Sequence, residues 1–154
     1  MKVRTLFFYV FLGIGSLALA ASAFADVVKE VGPDGTLTLE SGRKIILAGV
    51  ELDVEGVSVL KVLAKNQDLR VQKVDLSAAG SEEYAYAYMT AKSLNFPFAP
   101  NELAGQEEVM LNEFLLQTGA AKVKEGQDFL QKTRFLKLQE QAKEKGEGVW
   151  SYVY

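Results

Sequence analysis

Residues 27–50 carry the sequence VVKEVGPDGTLTLESGRKIILAGV. Two turn signals divide this stretch: residues 32–35 (GPDG), where proline fixes φ and glycine accepts a positive φ, and residues 41–42 (SG). Between them, residues 36–39 alternate polar and apolar side chains with period two, as a half-buried strand does. The stretch therefore predicts a three-stranded meander, and Gly49 near its end predicts a bulge or a bend.

The pattern beyond residue 50 predicts further elements around this meander. Apolar spacing predicts a short helix, two more strands and two C-terminal helices, over residues 57–65, 69–74, 84–89, 109–118 and 128–145. Asp128 with Gln131 resembles a capping box for the last helix, and Gly146 is expected to stop it. This element order predicts an α+β fold: a mainly β, five-stranded OB-fold-like barrel with two to three α-helices.

The composition excludes several kinds of chemistry. The 154 residues include no cysteine and no histidine, with 17 Lys and Arg against 20 Asp and Glu. A thiolate nucleophile, a disulfide framework, a Ser-His-Asp triad and a zinc site with Cys or His ligands are all ruled out. A metal bound by these side chains would need oxygen ligands, which favours calcium or magnesium.

The N-terminus has the layout of a secretory signal peptide. Lys2 and Arg4 precede an apolar stretch over residues 5–21, and Ala23-Phe24-Ala25 forms a small-x-small triplet. We expect residues 1–25 to be a cleaved signal peptide and residues 26–154 to be the exported, periplasmic or secreted domain. The alternative is a retained membrane anchor, which the triplet argues against.

Cleavage would make the domain more acidic. Removing the 25-residue leader leaves 129 of the 154 residues, with 15 Lys and Arg against 20 Asp and Glu. A general nucleic-acid-binding protein needs a cationic face to neutralise phosphates, and the sequence offers no basic run beyond Arg43-Lys44. We therefore expect no nucleic-acid partner and, after cleavage, no stable membrane anchor.

Three stretches together resemble the staphylococcal nuclease-like (thermonuclease) family. They are TLTLESGR at residues 36–43 followed by LAGV at 47–50, LNEFLLQTGAAKV at 111–123, and the spaced Gln, Ala, Gly and Trp residues of 139–150. The resemblance spans nearly all of residues 26–154 in order and implies the same barrel. It makes the irregular stretch 90–107, with two prolines and a glycine, look like an insertion.

The resemblance implies a calcium-dependent phosphodiesterase that cuts DNA and RNA. Such a site needs an acid in the first turn, an arginine in the third strand, a carboxylate after that strand, a water-positioning glutamate and an arginine in the fifth strand. The carboxylates hold the cation that polarises the phosphate, and the arginines stabilise charge developing on its oxygens.

This sequence departs from that pattern at nearly every position. The turn acid falls on Gly35 with Asp34 one residue off, the arginines on Ile46 and Tyr84, the carboxylate on Glu51, and the glutamate on Val54 with Glu55 one residue late. Isoleucine and tyrosine cannot present a charged fork to a phosphate. The resemblance therefore favours the fold and argues against the activity, so we assign no catalytic residue.

One group of acids remains a candidate for calcium. Glu51, Asp53 and Glu55, with Asp34 nearby, would lie on one face if the segment were extended. The alternative is a solvated acidic strand end with no bound ion. We expect no cofactor unless this group binds calcium, because that ion takes six to eight oxygen ligands.

Aromatic side chains supply the candidate binding residues. Tyr84, Tyr86 and Tyr88 share one face of a strand and form either a stacking platform or a packed row against a helix. Phe96 and Phe98 flank Pro97 in the 90–107 loop and suit either contact with a partner or packing on the barrel edge.

Three functions follow from these patterns. The first is an exported nuclease-like domain without nuclease activity, which binds an unknown protein or envelope partner. The second is a divergent calcium-dependent nuclease that uses Glu51, Asp53 and Glu55 with Arg43 or Lys44. The third is an envelope structural or inhibitory protein acting through loop 90–107. The polar stretch 137–145 is a partner surface or a solvated helix face.

Overall fold

The computed structural model describes residues 25–76, 82–94 and 106–151. Within these ranges the chain forms eight strands and three α-helices. In chain order they are β1 (Ala25–Val31), β2 (Leu37–Leu39), β3 (Lys44–Leu47), β4 (Val50–Glu51), α1 (Val54–Ala64), β5 (Asp68–Val74), β6 (Glu83–Thr90), β7 (Glu108–Met110), α2 (Leu111–Gln117), β8 (Lys122–Val123) and α3 (Lys132–Lys145).

Five of the strands close into a barrel. Their order is β3-β2-β1-β5-β6, with antiparallel neighbours, and a parallel pairing of β3 with β6 joins the two ends. β7 extends β6 outside the closed set. The predicted α+β, OB-fold-like barrel is confirmed, with three helices.

The turn between β1 and β2 forms as the sequence predicts. The Gly32 N–H donates to the Thr36 carbonyl at 2.8 Å, and Gly35 adopts a φ of 83°. Asp34 accepts hydrogen bonds from the Thr36 N–H at 3.0 Å and the Thr36 hydroxyl at 2.9 Å. This turn stands at the mouth of the barrel.

The third predicted strand ends earlier than expected. β3 stops at Leu47, and Gly49 turns the chain with a φ of 76°. The following residues form β4, which pairs with β8 in a separate two-stranded sheet. The expected bend at Gly49 is therefore confirmed, and the expected strand through Val50 is wrong because β4 has a different partner.

Two of the helix starts also differ from prediction. α1 begins at Val54 because the Asp53 side chain caps it, accepting a hydrogen bond from the Gly56 N–H at 2.8 Å. α3 begins at Lys132 with Gln131 at its N-cap and no side-chain cap bond, so the Asp128 capping box is not formed. The expected stop at Gly146 is confirmed, with a left-handed φ of 65°.

Helix α2 is shorter at both ends than the helix predicted over residues 109–118. Val109 belongs to β7 and pairs with Met89 of β6, so α2 covers Leu111–Gln117 only. The β6–β7 ladder brackets the 90–107 stretch. Residues 91–93 form a 3-10 turn, and residues 95–105 lie outside the described part of the chain, as do residues 1–24.

The core fills the barrel and the space between the barrel and the helices. Apolar side chains from every barrel strand and from all three helices are buried, including Val28, Leu37, Ile45, Leu60, Leu69, Ala87, Phe114 and Phe135. No helix in the described ranges is long and apolar enough to cross a membrane.

Candidate functional site

A cleft of about 670 Å³ opens at the barrel mouth beside the β1–β2 turn. It is lined by residues of β1, β2, β3, the two intervening turns and the start of β6. They include Glu30, Asp34, Thr36, Thr38, Lys44, Ile46, Glu82 and Glu83. Of the positions that the resemblance associates with phosphodiester chemistry, Ile46 lines this cleft, and the turn that contains Gly35 borders it through Asp34 and Thr36.

The two positions that the resemblance assigns to arginine lie side by side. Parallel pairing of β3 with β6 makes Ile46 and Tyr84 register partners. Ile46 is half-buried and lines the cleft, and Tyr84 is 8% exposed. The Tyr84 hydroxyl donates to Glu82 Oε2 at 3.1 Å, and burial, followed by this bond, raises the pKa of the phenol. Neither side chain carries a positive charge.

The carboxylate of Asp34 is already hydrogen-bonded within the turn. Both carboxylate oxygens of Asp34 accept hydrogen bonds from Thr36, one from its N–H and one from its hydroxyl. These bonds lower the pKa of Asp34, with a smaller contribution from the charge of Lys44. Asp34 therefore stabilises the turn as an ionised Asx turn.

The cleft is acidic. Four carboxylates line it, from Glu30, Asp34, Glu82 and Glu83, and Lys44 is the single base among its lining residues. Arg43 stands next to Lys44 but forms a short ion pair with Glu83, and that hydrogen bond raises the pKa of its guanidinium. The negative electrostatic field at the cleft therefore opposes the binding of an anion such as a phosphate.

The structure does not bring the predicted calcium ligands together. Glu51 lies in β4 opposite Lys122, and Asp53 caps α1. Glu55 sits in the first turn of α1, at a different cavity from the one that Asp34 lines. The extended segment behind the prediction is wrong because a helix begins at Val54. Within residues 25–76, 82–94 and 106–151, no three acids are grouped to hold a metal ion.

The tyrosine row packs instead of forming an open platform. Tyr86 is 4% exposed and meets the ring of Phe135 of α3 edge-to-face, with the centroids 6.0 Å apart. Tyr88 is half-buried beneath the guanidinium of Arg70, which lies 4.0 Å from its ring centroid. The prediction that these side chains share a face is consistent with this packing, and burial contradicts a stacking role for Tyr84 and Tyr86. Phe96 and Phe98 lie outside the described residues.

Sequence reasoning missed three of the acids in the cleft. Glu30 lies near the end of β1, more than fifty positions before the adjacent residues Glu82 and Glu83 at the start of β6. Only the parallel closure of β3 on β6 places them around one opening. The sequence does indicate the helix cap at Asp53, because an Asp directly before an apolar-periodic segment is typical of a helix start.

A comparison with known families agrees with this fold. The model of the family described as staphylococcal nuclease homologue matches residues 60–152. The match begins inside α1 and includes Tyr84, whereas the β1–β2 turn and Ile46 precede it. No curated protein matches the chain.

Proposed function

The chain belongs to the staphylococcal nuclease homologue family, and we propose that it is an exported member that binds a protein partner without cleaving nucleic acid. The single observation that carries the proposal is the pair Ile46 and Tyr84, which meet in register where the family resemblance implies two arginines. Neither position offers a positive group that could stabilise the charge developing on phosphate oxygens in the transition state.

The expected cost of this change is large. Removing one preorganised charge-stabilising donor typically lowers kcat by about 10²- to 10³-fold. Losing two such groups, if their effects multiply, lowers the rate by about 10⁴- to 10⁶-fold. Asp53, a candidate calcium ligand, caps α1 and does not line the cleft.

The charge of the cleft favours a basic protein segment over a nucleic acid. The pairing of Glu83 with the neighbouring Arg43 leaves three lining carboxylates against one lysine. Binding of a polyanion would place phosphates among these carboxylates, at an electrostatic cost that grows as salt is lowered. A lysine- or arginine-rich loop would instead be attracted.

Export is part of the proposal and rests on the sequence. The cationic start, the apolar segment and the Ala23–Ala25 triplet support cleavage after Ala25. The first described strand contains Asp26, whose carboxylate accepts hydrogen bonds from the N–H and hydroxyl of Ser41. Cleavage after Ala25 removes the pairing of Ala25 with Arg70 and leaves Asp26 and Val27 paired with β5.

A cleavage assay tests the catalytic part of the proposal. Purified protein comprising residues 26–154 is incubated with single-stranded DNA, duplex DNA and RNA, with calcium and with a chelator. We expect no calcium-dependent cleavage above the chelator background. Calcium-dependent cleavage that disappears in the Glu51→Ala variant would overturn the proposal and favour a divergent nuclease.

A fractionation experiment tests the export part. The full chain with a C-terminal tag is expressed in a bacterium, and the periplasm is separated from the membrane and cytoplasm. We expect a product that begins at Asp26 in the periplasm or the medium. A product in the membrane that retains residues 1–25 would contradict export as a free domain.

A further inference from the structure

One edge of β5 has no neighbouring strand in the described part of the chain. β1 pairs with β5 only at residues 68–70, whereas β6 pairs with it over residues 70–74. No other described strand pairs with β5. The side of residues 71–74 that faces away from β6 is therefore open. Cleavage after Ala25 would lengthen this open edge, because Ala25 is the β1 residue opposite Arg70.

The hydrogen bonds of β6 identify the backbone groups that face the open edge. The Ala85 carbonyl accepts from the Ala48 N–H and the Asn112 side chain, and the Ala87 N–H donates to Asn112. Ala85 and Ala87 thus point away from β5. Because direction alternates along a strand, the even-numbered residues of β6 face β5, and their even-numbered partners in β5 face β6. The N–H and carbonyl groups of Val71 and Lys73 therefore point to the open edge.

The open edge carries one base and one acid on the same face. The side chains of Lys73 and Asp75 are 65% and 96% exposed, and Lys73 Nζ lies 3.8 Å from Asp75 Oδ1. The other charged residues of the paired segments 70–74 and 83–90 are Arg70 and Glu83. Each of them has an ion-pair partner outside these two segments. Lys73 and Asp75 are therefore the charges with which this edge can recognise another strand.

We propose that this edge pairs antiparallel with the same edge of a second copy of the chain, with the two-fold axis at Val74. Lys73 of each copy then lies directly opposite Asp75 of the other, and the two Val74 side chains meet at the axis. Opposite charges directly across an antiparallel pair stabilise it. The contact is isologous, because each copy contributes the same patch.

The alternative registers of this pair are disfavoured. An axis at Lys73 would place two like charges directly opposite each other. An axis at Gln72 would place Asp75 of the second copy at Leu69, where Asp26 of β1 already pairs. A shift by one residue would bring backbone groups that face β6 against groups that face the edge. The axis at Val74 meets none of these obstacles.

The dimer is expected to be weak. A pair of strands of about five residues buries less than the roughly 1,200 Å² at the lower end of stable specific interfaces. We therefore expect a Kd of about 10⁻⁴ to 10⁻³ M, which salt should weaken by screening. The edge shares no residue with the lining of the cleft, so the dimer stands or falls independently of the proposed function.

Hydrogen exchange at two concentrations tests the pairing. ¹⁵N-labelled protein of residues 26–154, which keeps every residue of the buried core, is compared at about 0.05 and about 2 mM. The amides of Lys73 and Asp75 should exchange at least two-fold more slowly at the higher concentration. Those of Gln72 and Val74, which face β6, should be equally protected at both. Sedimentation equilibrium should show a dimer at the higher concentration. A monomer throughout, or equal exchange of the Lys73 amide, would overturn the proposal.

A proline at the edge separates this surface from any other interface. Lys73→Pro removes an N–H that bonds to no described strand, so it should abolish the dimer and leave the urea midpoint nearly unchanged. Gln72→Pro is the matched control, because it removes an N–H that faces β6 and should lower the midpoint clearly. A dimer that persists in Lys73→Pro would place the contact elsewhere and contradict the proposal.

Charge reversal tests the register without changing the backbone. Lys73→Glu places two acids opposite each other and should weaken the dimer at least about ten-fold. Adding Asp75→Lys to this variant exchanges the two charges and should restore the affinity to within about three-fold. Lys137→Glu, on the exposed face of α3, is the control and should leave the dimer unchanged. Equal weakening by the control, or no recovery in the exchanged pair, would overturn the register at Val74.

Discussion

The α2–barrel junction and the cleft at the barrel mouth use their polar side chains in opposite ways. Asn112 of α2 is 0% exposed, and its side chain donates to the carbonyls of Ala48 and Ala85 and accepts from the Ala87 N–H. In the cleft, most charged groups are exposed; Asp34 binds Thr36 within the turn, and Glu83 binds Arg43 across the β3–β6 pair. A polar group tied into the interior is therefore expected to matter more for stability than one that binds a neighbour at the surface.

The largest expected effect is at Asn112. Asn112→Ala should lower the free energy of unfolding by about 3–5 kcal/mol, because the Ala48 carbonyl and the Ala87 N–H lose their bonds to this side chain and the Ala85 carbonyl keeps the Ala48 N–H. Urea denaturation measures this. Lys137→Ala, an exposed change on α3, serves as the control and should stay within about 0.5 kcal/mol. Similar values for the two variants would remove the contrast between interior and surface.

A smaller loss is expected where the segment after α3 meets the end of α2. Gly119 has a φ of 65°, and an added Cβ would lie 2.1 Å from backbone. Gly119→Ala should therefore cost about 2–3 kcal/mol by thermal or urea unfolding. Gly126 has a similar φ of 71° with nothing within 4 Å, so Gly126→Ala isolates the backbone strain, at about 1 kcal/mol. Equal losses of unfolding free energy in the two variants would show that the structure relieves the close contact at Gly119 without an energetic cost.

In the cleft, breaking an ion pair should hardly affect stability. Glu83→Gln leaves Arg43 without its carboxylate partner, and both side chains are partly exposed. We expect a change in the free energy of unfolding of less than about 1 kcal/mol. Arg43→Gln is the complementary variant and should behave alike. A loss of several kcal/mol in either would mean that the cleft charges hold the barrel together.

The smallest effect concerns pH. Hydrogen bonds from Thr36 lower the pKa of Asp34 in the folded state. Its contribution to stability is therefore present above the unfolded pKa, roughly 4, and is lost as pH falls through the folded value. Asp34→Asn should flatten the acid side of the stability profile measured by urea denaturation between about pH 5 and pH 2. An unchanged acid slope would contradict the ionised turn.

Much of the fold follows from local signals. The turns at residues 32–35 and 41–42, the strand alternation and the cap at Gly146 are encoded within a few residues of each other, and each forms as predicted. The closure of β3 on β6 and the pairing of β4 with β8 join distant, very short segments, which periodicity cannot detect. Because that closure assembles the cleft, its acids were only partly predictable.

The candidate binding residues show the same division. Alternation placed Tyr84, Tyr86 and Tyr88 on one face, but it could not tell whether solvent or α3 covers that face. Similarly, an extended segment would align the acids at positions 51, 53 and 55, but Asp53 followed by an apolar period also indicates a helix start, and the helix forms. What covers a face, and which element a residue begins, depend on tertiary packing.

Direct binding tests most plainly whether the cleft rejects a phosphodiester, as proposed. Fluorescence anisotropy of a labelled single-stranded DNA and of a labelled lysine-rich peptide is recorded against the domain at low salt, with and without calcium. We expect no saturable DNA binding in either condition, and peptide binding that weakens as salt increases. Saturable, calcium-dependent DNA binding that is lost in Glu51→Ala would contradict it.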